Sequence, residues 1–171
     1  MLRRLLQIFG WLLLLGILTT FIFLGLEIST SQKAIAAVIQ LKERPGEILY
    51  RSQKKLDDQS GNVWQVILFK QVYSGEALNV NLRLVGFPGS AELIHPQPLR
   101  ITTATGKVLT APDVFLEEAP APTIGQYEFK NILPTLPSEQ LLLNIPLPGD
   151  RTINISVPQS VVQEWHQVLR S

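Results

Sequence analysis

Few side chains in this sequence could do chemistry. There is no cysteine, and His95 and His166 are the two histidines. Without Cys the chain has no disulfide, thiolate nucleophile, thiolate zinc site or iron–sulfur cluster, and two imidazoles do not make a multi-histidine metal site. His95 is the candidate for acid–base work, since imidazole titrates near neutral pH and this one stands beside the rigid Pro96-Gln97-Pro98. A hydrolase or isomerase would need a nucleophile or loop carboxylates around it, and no Gly-x-Ser-x-Gly elbow occurs. The plainer reading, a loop histidine capping backbone groups, is preferred. His166 follows Trp165, and with Glu164 it supplies at most two metal ligands at a poor helical angle.

The carboxylates are better placed for contact than for catalysis. Asp57 and Asp58 precede Gly61 but lack the alternating oxygen ligands and distal Glu of a calcium loop, so they read as a hairpin turn. Asp113, Phe115, Glu117, Glu118, Pro120 and Pro122 are the candidate partner-binding residues, within the segment 113–126. The prolines hold an extended backbone that loses little entropy on binding, and the adjacent glutamates favour a basic partner surface. Val114, Phe115 and Ile124 supply apolar anchors at either end. No catalytic residue, metal site or cofactor is expected. A net charge of +1 lacks the basic excess of a nucleic-acid binder. Asn154-Ile155-Ser156 matches a glycosylation acceptor but lies inside a strand pattern.

Positioning these residues requires a scaffold, and the first part of the chain reads as a membrane anchor. The run that opens at Leu5 and closes at Leu26 holds 22 residues without a charge, after Arg3 and Arg4. As a helix it spans ~33 Å, enough for a hydrocarbon core of ~30 Å. The arginines favour a cytoplasmic N-terminus, which sends the remainder across the membrane. Ala34-Ile35-Ala36 offers a cleavage motif, and cut there the domain would be soluble in the exported compartment. A retained anchor is preferred, because signal cores usually run about 7 to 15 residues. The expected organisation is an anchor or signal peptide over 1–27, a linker over 28–44 and an exported domain over 45–171.

That domain carries all 12 prolines, which argues for short strands. Leu78, Val80, Leu82 and Leu84 alternate with Asn79, Asn81 and Arg83, the period of a strand with one buried face. Val63–Tyr73 precedes it across Ser74-Gly75-Glu76, and residues 48–56 complete a meander. Residues 99–103 and 107–110 flank Ala104-Thr105-Gly106; residues 141–145 and Thr152–Val157 flank Pro148-Gly149-Asp150. Tyr127 and Phe129 add another strand. Seven to nine strands predict an all-β fold, an antiparallel sandwich or partly closed barrel. Ser160-Val161-Val162-Gln163 then reads as a capping box opening a short C-terminal helix, anchored by Val161, Trp165 and Val168.

Four runs carry a family likeness: residues 82–89 (LRLVGFPG), 95–99 (HPQPL), 111–115 (APDVF) and 161–165 (VVQEW). Over 45–165 the chain resembles an uncharacterised family of exported cyanobacterial proteins, known as a domain of unknown function. The resemblance implies a periplasmic or thylakoid-lumen location, with a plasma-membrane or thylakoid anchor, and transfers no catalytic or ligand residue. The expected function is a membrane-tethered, non-enzymatic binding or assembly module meeting a protein partner on the exported side. The alternative is an exported hydrolase, isomerase or small-ligand carrier using His95 and loop carboxylates. In sealed vesicles with the cytoplasmic face outward, added protease should leave the domain over 45–171 intact; its digestion would place it on the other side of the membrane.

Overall fold

The computed structural model describes Arg4 and residues 38–44, 46–87, 89 and 91–171. The apolar run over 5–26 and the motif Ala34-Ile35-Ala36 lie outside the described residues. Among the described residues, no helix is long and apolar enough to cross a membrane. The chain divides into units Met1–Ile35 and Ala36–Ser171, and the elements that follow all belong to the second.

In chain order these are β1 (Ile39–Arg44), β2 (Glu47–Asp57), β3 (Val63–Tyr73), β4 (Glu76–Gly86), β5 (Leu99–Thr103), β6 (Val108–Ala111), β7 (Ile124–Glu128), β8 (Leu141–Pro146), β9 (Thr152–Val157) and the helix α1 (Gln159–Arg170). They form a five-stranded sheet ordered β1-β2-β3-β4-β7 and a four-stranded sheet ordered β6-β5-β8-β9. Every pairing within both sheets is antiparallel. Their inward residues merge into one apolar core, which makes the fold a β-sandwich.

Local chemistry explains most of the ladder. Ser74 and Gly75, both at positive φ, close the two-residue β3–β4 hairpin in the mirror-image turn that matches strand twist. The period of two fails once, at Leu78. The β3–β4 register shifts between Gln71 and Val72, which inserts an extra residue into β4. This bulge turns Leu78 outward, where it is 55% exposed, while Val80, Leu82 and Leu84 stay buried. The sheet also starts earlier than the linker expected over 28–44, because β1 already pairs with β2 through Ile39↔Arg51 and Leu41↔Leu49. Phe129 lies just beyond β7, although its N–H still donates to the Val80 carbonyl at 2.8 Å.

The helix begins one step before the expected capping box. Pro158, extended at φ −62°, is its N-cap, and no side chain caps the turn. Its carbonyl accepts from Val161 and Val162 N–H at 3.0 and 3.2 Å, so Ser160 falls inside the first turn. Val161, Val162, Trp165 and Val168 face the core. Trp165 meets Phe129 edge to face, with ring centroids 6.0 Å apart. Polar contacts fix the docking register. Buried Ser52 Oγ donates to Glu164 Oε2 at 2.9 Å, Lys54 Nζ sits 2.8 Å from Glu164 Oε1, and Lys70 Nζ donates to the Leu169 carbonyl at 2.8 Å. The last of these places a cation at the negative end of the helix dipole.

Trp165→Ala should lower the unfolding free energy by about 3–5 kcal/mol, the range for truncating a large buried aromatic. Chemical denaturation measures this, and a loss under about 0.5 kcal/mol, a surface-like value, would mean that α1 is not docked.

Candidate functional site

Antiparallel pairing brings four connections to one end of the sandwich: those between β2 and β3, β4 and β5, β6 and β7, and β8 and β9. Backbone hydrogen bonds hold two of them side by side. Gly86 N–H donates to Thr123 O at 2.9 Å, and Leu93 N–H donates to Pro122 O at 2.7 Å. This loop end carries Asp58, His95 and the segment with Asp113, Glu117 and Glu118.

His95 and Asp113 meet here, across 18 positions of sequence. His95 Nδ1 is hydrogen-bonded to Asp113 Oδ2 at 2.6 Å, and His95 Nε2 donates to the Ile124 carbonyl at 3.1 Å. Asp113 also accepts from the N–H groups of Gln97 at 3.1 Å and Phe115 at 3.0 Å. The His95 and Asp113 side chains are 6% and 1% exposed. Phe115 closes against the imidazole edge at a centroid distance of 5.4 Å. The pair has the form of a base with its orienting acid, but Nε2, the nitrogen that would serve a nucleophile, is taken by a backbone carbonyl. Its physical effect is to latch two irregular loops onto β7. Close packing continues beneath it: a Cβ on Gly125 would lie 2.6 Å from Tyr127 Oη. Burial, reinforced by the Asp113 charge, pushes the Tyr127 phenol above its ordinary value.

A second acid organises the neighbouring β2–β3 loop. Asp58 Oδ1 accepts from Ser60 and Asn62 N–H at 2.8 and 2.9 Å, and Oδ2 accepts from Asn62 Nδ2 and Trp64 Nε1 at 3.0 and 3.1 Å. Burial alone would raise this carboxyl, but the side-chain bonds from Asn62 and Trp64, with the backbone bonds from Asn62 and Ser60, hold it below its ordinary value. A folded carboxyl lowered in this way contributes stability that is present above its unfolded titration range and lost as pH falls through the folded one. These oxygens serve the turn, as the hairpin reading of Asp57 and Asp58 expects. Among the described residues, no group of three or more His, Asp or Glu could hold a metal ion.

Two clefts open at this end. One, about 570 Å³, lies between Gln59, Asn62, Glu92, Pro148, Arg151 and Ile153. The other, about 500 Å³, lies between Ala91, Glu92, Ala121 and Pro122. Neither is lined by His95 or Asp113. Of the candidate partner-binding residues, Glu117, Glu118, Pro120 and Pro122 are exposed on the β6–β7 loop, whereas Asp113 and Phe115 turn inward to the latch. Asp113 is therefore a support of that loop and not part of its surface. Leu116, which the sequence reading passes over, is 74% exposed beside the two glutamates, and Val114 and Phe87 are exposed at the same end. The signal for Leu116 is its place in an apolar Val-Phe-Leu run directly before Glu117.

Residues 36–168 match a family described as protein of unknown function (DUF3122). No curated protein and no solved structure matches the chain.

His95→Ala and Asp113→Ala should each lower the unfolding free energy by about 3–5 kcal/mol, the usual result of stranding one partner of a buried pair. The double variant should lose clearly less than the two losses added together. Additive losses in that cycle would show that the latch is not one interaction.

Proposed function

The chain belongs to the DUF3122 family, and from that premise we propose that it is a membrane-tethered, non-enzymatic binding or assembly module. Its β-sandwich stands on the exported side of a plasma or thylakoid membrane, in the periplasm or thylakoid lumen, and presents its loop end to a protein partner. The carrying observation is the loop end itself, where a buried His95–Asp113 latch supports a β6–β7 loop whose exposed residues include Leu116, Glu117 and Glu118. An apolar side chain left in water beside charges, on a backbone stiffened by Pro120 and Pro122, suits contact with another surface. A large part of the binding energy of such contacts comes from a few apolar anchors, while flanking charges steer encounter.

The hydrolase, isomerase or carrier reading asks for a concave site reached by His95 or Asp113. The engagement of both imidazole nitrogens argues for the module instead. So does an interior occupied by Trp64, Tyr127, Phe129 and Trp165.

A photo-crosslinking amino acid at Leu116, introduced into the full chain in native membranes, should give a discrete adduct that is absent when the probe replaces Val108 on the second sheet. Glu117→Lys with Glu118→Lys should reduce the adduct and flatten its dependence on salt. Equal labelling from both positions, unchanged by the charge reversal, would remove the loop end as the contact site.

A further inference from the structure

The two outward faces of the sandwich differ in chemistry. On the four-stranded sheet, Thr102 Oγ1 donates to Asn144 Oδ1 at 2.8 Å and Asn144 Nδ2 to Asn154 Oδ1 at 2.7 Å, a polar ladder that satisfies itself. The five-stranded sheet carries aliphatic and aromatic residues outward. Its register sets Ile39, Arg51, Phe69 and Asn81 in one cross-strand row, Leu41, Leu49, Gln71 and Asn79 in the next, and Gln53, Ile67, Arg83 and Gln126 in a third. Ile39 and Leu41 are exposed, and Leu49, Ile67 and Phe69 are half-buried. The helix engages Ser52, Lys54 and Lys70, which belong to the opposite, inward face.

Charge on this outward face is sorted. Arg51, Lys55 and Arg83 lie within the strands, whereas Glu47, Asp57, Glu76 and Glu128 are each the first or last residue of a strand. Arg83 lies over the Phe69 ring at 5.5 Å and donates twice to Gln126 Oε1. Arg51 Nε and Asn79 Oδ1 have no hydrogen-bond partner among the described residues. Among the described side chains, a field of aliphatic residues, amides and cations with its acids at strand ends matches the boundary between anionic headgroups and acyl chains. Position agrees with this chemistry. β1, the edge strand of this sheet, starts 13 residues after the apolar run ends at Leu26, a separation of at most ~47 Å.

We propose that the outward face of the five-stranded sheet rests on an anionic lipid surface, so that the domain lies along the membrane and its loop end points sideways. This builds on the proposed tether. The absence of native cysteine allows a single fluorophore on Q53C, within this face, or on V108C, on the other sheet. In the full chain reconstituted into vesicles of phosphatidylcholine and phosphatidylglycerol, a headgroup-borne quencher should dim the Q53C label several times more than the V108C label. The difference should shrink at high salt, in R51Q/R83Q, and in phosphatidylcholine alone. Equal quenching in a chain that resists carbonate extraction overturns the proposal and leaves the tether standing. A Q53C label shielded from aqueous iodide but untouched by the lipid quencher also overturns it, since protein then covers the face. If carbonate extracts the chain, the tether is wrong, and added vesicles decide the face alone: quenching of Q53C supports it and none overturns it.

Discussion

Asp58 has to satisfy four N–H donors with one carboxylate, while its backbone bridges to Ile155 on the opposite sheet. A buried anion is tolerated only when donors surround it. Here those donors are the next turn of chain and the indole of Trp64, one of the largest fully buried side chains. The same oxygens thus fix the shape of the β2–β3 loop, the orientation of a central core residue, and the point at which the two sheets meet. Gln59 extends the join by exchanging hydrogen bonds with the backbone of Thr152 and Asn154, so a side chain continues the ladder past the edge of β9. The loop end and the core are in this sense one construction.

The His95–Asp113 latch performs a similar service on the other flank. The segment around Asp113 bridges to Tyr127, and Val114 N–H donates to Gln126 O, which covers the outer edge of β7. Exposed strand edges invite pairing with other chains, and proteins commonly cover them. Two acids buried in loops therefore stand beside two of the sheet edges. What stays in water on the β6–β7 loop, Leu116 with Glu117 and Glu118, rests on a backbone held from beneath.

Much of this fold is legible in the sequence, because alternation is a direct readout of a one-sided strand. Val63–Tyr73 and Thr152–Val157 follow from it together with the Gly-containing turns beside them. Leu78 does not, since a bulge breaks the parity on which alternation depends. β1 carried a signal, Ile39 and Leu41 alternating with polar residues before Pro45-Gly46, that its nearness to the apolar N-terminal run obscured. Ser160 has the composition of a cap, yet the fixed φ of Pro158 starts the helix first. The latch was the least legible part. His95 and Asp113 sit on irregular loops with no period to relate them, and their approach is set by a third element, the carbonyls of β7. The sequence accordingly reads His95 as a loop cap or acid–base candidate and Asp113 as a partner-binding residue, without relating the two, whereas the Asp113 side chain is buried against His95.

The Ser52–Glu164 bond joins positions 112 residues apart, a loop closure far longer than that of any hairpin in the fold. The β1 to β4 meander pairs only neighbours, so its loop closures are short and it can zip as soon as it emerges. Its inward face then waits, with Ser52 unpaired and Leu68 and Leu82 bare, until β8, β9 and finally α1 arrive. The helix α1 is thus the element that closes the core. A ribosome stalled before Trp165, or a protease trimming α1, leaves a formed ladder with an open apolar face, the kind of species that chaperones and proteases recognise.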